Sequence, residues 1–240
     1  MTNAPPDTVF FDAGYTLIEP WPGIGDVYAR VAADFGAEAE GAELSIAFRR
    51  SWRDARAAAG GGGAPYGRTD AEARAFWYPV VRETFRLAGY RPPQDPGYYP
   101  AVYDEFATAR CWRVFPDVDA ALRLVAEAGA RTAVLSNWDA RLHPVLEALG
   151  LAERFHATVV SCDVGAEKPD PAIYREAARR LGARRPAIIG DEPDADGHGA
   201  LAAGWAQCLV LRGGRAAPEG LRAAPTLDGA VRVLLGSGAP

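Results

Sequence analysis

Five short, nearly continuous apolar runs punctuate this chain, and four of them alternate with helical stripes through its second half. They are residues 8–12 (TVFFD), 131–136 (RTAVLS), 156–161 (HATVVS), 186–190 (PAIIG) and 205–211 (WAQCLVL). A strand with one wet face alternates polar and apolar residues. These runs barely alternate, so they predict strands covered on both sides. Between them, Val118, Leu122 and Val125 share one helical face that Gly129 ends, and Leu142, Val145, Leu146 and Leu149 form the next stripe. Asp139 is the expected N-cap of that second helix and Gly150 its stop, while Asp170-Pro171 opens a third with Asp as cap and Pro at the first helical position. The pattern predicts an α/β fold, a doubly wound parallel sheet of Rossmann-like type.

From about Pro20 to Cys111 this rhythm stops. The segment shows helical spacing and is rich in Ala, Arg, Trp and Tyr, with turn chemistry at 57–65 (AAAGGGGAP) and 92–97 (PPQDPG). It predicts an all-helical unit, residues 20–111, inserted into a core made of residues 1–19 and 112–240. The aromatics Trp52, Phe76, Trp77, Tyr78 and Trp112 read as helix-packing residues. The glycine run at 60–63 fits a loop that gates entry as well as it fits an exposed insertion.

Composition narrows the function. Net charge is −5 with no basic stripe, which argues against nucleic acid or an anionic membrane as partner. No run reaches the eighteen or more apolar residues of a membrane span, and the first residues lack a signal-peptide pattern, so a cytoplasmic location is expected. Cys111, Cys162 and Cys208 are far apart and odd in number, which fits buried thiols in a reducing compartment. Of 26 basic residues only Lys168 is a lysine. A lysine kept against such a bias is a candidate for work that a planar guanidinium cannot do.

Ligands of a doubly wound sheet bind outside the carboxyl ends of its strands. Asp12, with Gly14 two residues on, follows the first predicted strand; Ser136-Asn137 ends the second; Lys168 lies beyond the third, and Asp191 and Asp196 follow the fourth. A carboxylate there can attack phosphorus and form an acyl phosphate. Crowded carboxylates repel, and a hard divalent cation such as Mg²⁺ relieves the repulsion while reaching phosphate oxygens. A hydroxyl followed by backbone N–H groups can hold phosphate oxygens near a helix start, and an ammonium can neutralise charge that develops during transfer. Each signal alone is weak. Four in this order, each after a predicted strand, form a constellation.

The motifs FFDAGYTL, VLSN, GAEKPDPAIY and IIGDEPDADGHGA resemble the four motifs of the haloacid dehalogenase superfamily, and the inserted helices match the position of its helical cap. The resemblance implies an Mg²⁺-dependent phosphatase acting on a small phosphorylated metabolite, as monomer or homodimer. It implies Asp12 as nucleophile and metal ligand, Gly14 as metal ligand through its carbonyl, and Asp191 and Asp196 as further metal ligands. Ser136, Asn137 and Lys168 would bind phosphate, Lys168 also serving catalysis.

One position departs from the pattern. Phosphatases of this superfamily usually carry a second Asp two residues after the nucleophile, where this chain has Gly14. Acid–base assistance is typically worth roughly 10²–10⁴-fold in rate, so turnover of poor leaving groups is expected to be weak, and an Asp at position 14 is expected to favour alkyl phosphates. Tyr15, Asp139, Glu192, Asp194 and His198 are the nearby candidates for a substitute acid. A catalytically impaired protein that binds a phosphorylated ligand or a partner remains the alternative. A 2-haloacid dehalogenase ranks below both, because the acidic fourth motif is kept. Phosphonate cleavage through a lysine of the helical insert is set aside, since that segment has no lysine.

Overall fold

The computed structural model describes residues 4–60 and 63–236. Two residues of the glycine run at 60–63 fall outside the described residues. Six parallel strands form one sheet in the order β5-β4-β1-β6-β7-β8: β1 (Thr8–Phe11), β4 (Arg131–Ser136), β5 (Ala157–Val160), β6 (Pro186–Gly190), β7 (Ala206–Val210) and β8 (Ala223–Ala224). The five apolar runs are five of these strands. Central β1 shows why such runs do not alternate: Val9 and Phe11 enter the apolar cluster on one face, while Phe10 enters the other and meets Trp205 at 4.7 Å between ring centroids. Both faces are covered, so each residue gains from burial.

The covering helices are α5 (Val118–Glu127), α6 (Leu142–Ala148), α7 (Ser161–Val164), α8 (Pro171–Leu181), α9 (Gly199–Ala202) and α10 (Leu227–Leu235). Helix α8 starts as expected, with the Asp170 carboxylate accepting from the Ala172 N–H at 2.8 Å and Pro171 in the first turn. Asp139 does not cap α6. It lies ahead of the helix and binds the N–H and guanidinium of Arg141, the residue that itself occupies the cap position. Ser161 begins α7 rather than ending β5.

Between β1 and β4, neighbours in the sheet, the chain leaves through β2 (Ile18–Pro20) and returns through β3 (Trp112–Val114), an antiparallel pair with Ile18 opposite Val114. The intervening helices are α1 (Ile24–Asp34), α2 (Gly41–Ala59), α3 (Asp70–Leu87) and α4 (Tyr98–Glu105). They bury Val27, Tyr28, Leu44, Phe85, Tyr98 and neighbours in a cluster separate from those flanking the sheet. Thr69 and Glu72 close a reciprocal capping box at the start of α3. Among the described residues, no helix is long and apolar enough to cross a membrane.

Candidate active site

Because all strands of the sheet are parallel, their carboxyl ends share one edge, and β1 sits where the connections diverge to β4 on one side and β6 on the other. Asp12 continues from β1 and donates its N–H to the Ile189 carbonyl at 2.8 Å. Asp191 follows β6. Asp196 lies in a single widened helical turn, Pro193–His198, that runs into α9. Such turns break the regular ladder and often occur at functional sites. The phenol of Tyr174 on α8 donates to the Ala195 carbonyl and ties this turn to the core.

Asp12, Asp191 and Asp196 offer carboxylate oxygens that all lie within 4.8 Å of one another. Gly190 makes room for one of them: an added Cβ there would fall 2.1 Å from Cγ of Asp196. Lys168, 2% exposed, reaches between two of the acids, its Nζ lying 2.7 Å from Oδ1 of Asp12 and 2.6 Å from Oδ1 of Asp196. Burial works against the charged ammonium, yet the two carboxylates outweigh it and hold its pKa above the ordinary lysine range. Among the described residues, Asp191 has no such cation at contact distance. Burial first, then the charges of Asp12, Asp196 and Glu192, push its carboxyl up to about 8. Burial also raises Asp196, and it exceeds the opposing pull of Lys168.

The donor set fits a hard divalent cation. Carboxylate oxygens are among its usual ligands, three are gathered here, and the turn after Asp12 leaves one more oxygen available. In that turn Ala13 accepts from both Leu17 and Ile18 while Tyr15 donates to Ile18, so the Gly14 carbonyl has no backbone partner among the described residues.

Ser136 ends β4, 1% exposed, and its hydroxyl has no protein partner among the described residues. Asn137, expected at the phosphate, has its side-chain amide committed elsewhere: Oδ1 accepts from the Lys168 N–H at 2.7 Å and Nδ2 donates to the Lys168 carbonyl at 2.8 Å. Its observed work is to hold the backbone of the lysine. The proposed substitute acids are scattered. Tyr15 is 52% exposed, Glu192, Asp194 and His198 are exposed, and Asp139 is locked to Arg141.

Sequence reasoning missed the contacts that join helices to core. Arg56 Nη1 on α2 lies 2.6 Å from Oε2 of Glu167, the buried residue just before Lys168. Trp77 Nε1 on α3 donates to Asp139 Oδ2 at 2.7 Å, so one of the packing aromatics also makes a polar tether. Tyr66 stacks on Trp77 at 5.5 Å, beneath the Arg56 guanidinium. Neighbouring Lys168 in the motif was the only signal available for Glu167. For Trp77 and Asp139, 62 residues apart, there was none.

A strand-end carboxylate, a buried ammonium and a carboxylate cluster thus meet at one edge of the sheet. A family model for haloacid dehalogenase-like hydrolases matches residues 6–204, and the chain belongs to that family. A mouse protein described as haloacid dehalogenase-like hydrolase domain-containing protein 3 is 34% identical over 206 residues, covering 83% of this chain and 80% of its own. A phosphoserine phosphatase from Thermus thermophilus is 33% identical over 151 residues, 62% of this chain and 59% of its own. The L-2-haloacid dehalogenase structure from Xanthobacter autotrophicus superposes with a TM-score of 0.70 at 19% identity, covering 97% of this chain and 99% of the other, a likeness of fold. The chain is thus a haloacid dehalogenase-like hydrolase related to phosphatases.

Proposed function

We propose that the chain is an Mg²⁺-dependent phosphatase of small phosphorylated metabolites, working through an aspartyl-phosphate on Asp12. The observation that carries this reading is Lys168, clasped between Asp12 and Asp196 with Asp191 in the same cluster. Asp12 attacks phosphorus, Lys168 offsets charge on the phosphoryl oxygens, and the free Ser136 hydroxyl is placed to donate to one of them. Asp12, Asp191, Asp196 and the Gly14 carbonyl would hold Mg²⁺, which when bound supplies electrostatic stabilisation of the transferring group. Relatives named as phosphoserine phosphatase and glyceraldehyde 3-phosphate phosphatase, the latter from Methanopyrus kandleri, agree with a small phosphorylated substrate.

The test is phosphate release from p-nitrophenyl phosphate with and without Mg²⁺. Wild type should release phosphate only with the cation, and Asp12→Asn should lose about 10³-fold or more. Gly14 favours a second reading, a catalytically impaired protein that binds a phosphorylated ligand or partner. A wild type that binds Mg²⁺ and a phosphate mimic yet releases nothing would establish it. Metal-free halide release from a 2-haloacid would overturn both.

A further inference from the structure

Tyr66, in the turn ahead of α3, is a buried phenol whose proton no described residue accepts. It is 7% exposed, and its hydroxyl donates to no carbonyl or carboxylate among the described residues. The polar group that meets its oxygen is the Trp52 indole N–H, and an indole can only donate. A buried donor without an acceptor is costly to keep, so such a group points to an oxygen that a ligand brings.

The ring is clamped. Trp77 stacks on it at 5.5 Å with 10° between the planes, Phe76 meets it edge-on at 5.2 Å, and the Arg56 guanidinium lies 5.0 Å from its centroid. Behind it the chain turns tightly through Gly67 at φ +87°, where an added Cβ would fall 2.5 Å from the Ala73 nitrogen. Two of these neighbours also grip the core. Arg56 pairs with Glu167 beside Lys168, and Trp77 donates to Asp139, three residues after Ser136. The phenol is thereby set over the carboxyl edge of the sheet, between the loops that carry Ser136 and Lys168, and the charges of Glu167 and Asp12 both reach it.

Resting on the phosphatase reading, we infer that Tyr66 is a substrate-contacting residue supplied by the helical insert, its hydroxyl donating to a non-bridging oxygen of the phosphoryl group that Asp12 attacks. That group must face Asp12 whatever organic part it carries, and its charged oxygens make stronger acceptors than neutral ones. Lys168 is already engaged with Asp12 and Asp196, so an oxygen on the insert's side needs another donor. The phenol keeps its proton throughout. Burial above all, with Glu167 and Asp12 adding to it against Arg56, raises its pKa beyond the ordinary tyrosine range. The contact therefore serves the transferring group and not the departing oxygen, and it is made only with the insert docked on the core.

The experiment uses Tyr66→Phe, which removes the hydroxyl and keeps the stacked ring, so Tm should stay within about 2 °C of wild type. With Mg²⁺ present, kcat/KM should fall by about 10- to 100-fold, and by the same factor on p-nitrophenyl phosphate and on a simple alkyl phosphate. A second readout needs no turnover: orthovanadate, a mimic of the transferring group, should bind the variant about 10-fold or more weakly by calorimetry. Wild-type values in both measurements would reduce Tyr66 to a packing residue and overturn the inference. So would a loss that grows as the leaving group worsens while vanadate binding holds, because the phenol would then serve the departing oxygen. A wild type that binds no vanadate also overturns the contact. A wild type that hydrolyses neither ester, yet binds vanadate more tightly than Tyr66→Phe does, refutes the phosphatase reading and leaves the contact standing.

Discussion

Arg56 and Glu167 meet at 2.6 Å, joining the last turn of α2 to the residue immediately before Lys168. The Glu167 side chain is 7% exposed, so the carboxylate depends on its partner, whereas Arg56 at 26% keeps some water. Arg56→Ala strands a buried charge. Stability in urea should fall by about 1–3 kcal/mol, at the lower end because the pair is partly solvated. Arg56→Lys should recover part of the loss. A wild-type urea midpoint for Arg56→Ala would show that the pair contributes nothing.

Asp139 is the second tether and carries more than one bond. It accepts from the Trp77 indole and from Arg141 through both carboxylate oxygens, while Arg141 lies 3.9 Å over the Tyr103 ring. Trp77→Phe removes one donor and leaves the carboxylate paired, which should cost about 0.5–1.5 kcal/mol for the hydrogen bond. Asp139→Ala leaves a mostly buried guanidinium and an indole N–H without their acceptor, and should cost more. Chemical denaturation ranks the two, and the reverse order would refute this account.

Lys168 holds two carboxylates together from a fully desolvated position. Lys168→Met should destabilise the cation-free protein at neutral pH by about 3–5 kcal/mol, the usual cost of leaving buried charge uncompensated. Because the remaining fault is carboxylate charge left without its counter-ion at Asp12 and Asp196, added Mg²⁺ should restore more stability to this variant than it adds to wild type. Melting curves with and without MgCl₂ decide the point.

Asp191 gives the pH dependence. Its carboxyl, pushed up to about 8 by burial and then by Asp12, Asp196 and Glu192, binds a proton in the folded chain that the unfolded chain has released. Its contribution to cation-free stability is therefore whole below the unfolded pKa of about 4 and lost as pH rises to about 8. Mg²⁺ needs the ionised carboxylate, so its stabilising effect should grow with pH over that same window. Tm measured across the window should diverge between the metal-free and Mg²⁺ series. Parallel curves would count against Asp191 as a ligand.

The cysteines should be inert in the native state. Burial pushes the thiols of Cys111 and Cys208 up to about 11 and that of Cys162 up to about 12. Near neutral pH almost none is thiolate, the reactive form. A disulfide reagent should titrate none of the three quickly in the folded chain and all three after denaturation.

The sheet was readable because β1, β4, β5, β6 and β7 are covered on both faces and write their burial directly into the sequence. That Asp12, Lys168, Asp191 and Asp196 come together was readable because parallel strands deliver their ends to one edge. The two-residue β8, and β2 and β3 with three residues each, carry no usable period, and Ile18 finds Val114 only through the fold. Asn137 and Asp139 show a different limit. Their side chains suit both a ligand and a loop, and which one they serve depends on whether Lys168 or Trp77 arrives nearby.

The β2–β3 pair has a consequence for how such a chain can vary. Ile18–Val114, Glu19–Arg113 and Pro20–Trp112 are successive rungs of one ladder. To the six-stranded sheet, everything from α1 to α4 is a hairpin loop of unusual length. A substitute insert of any size meets the same two adjacent chain ends, so the ribbon is a socket at which the insert can be exchanged while the sheet and the residues at its carboxyl edge stay in register.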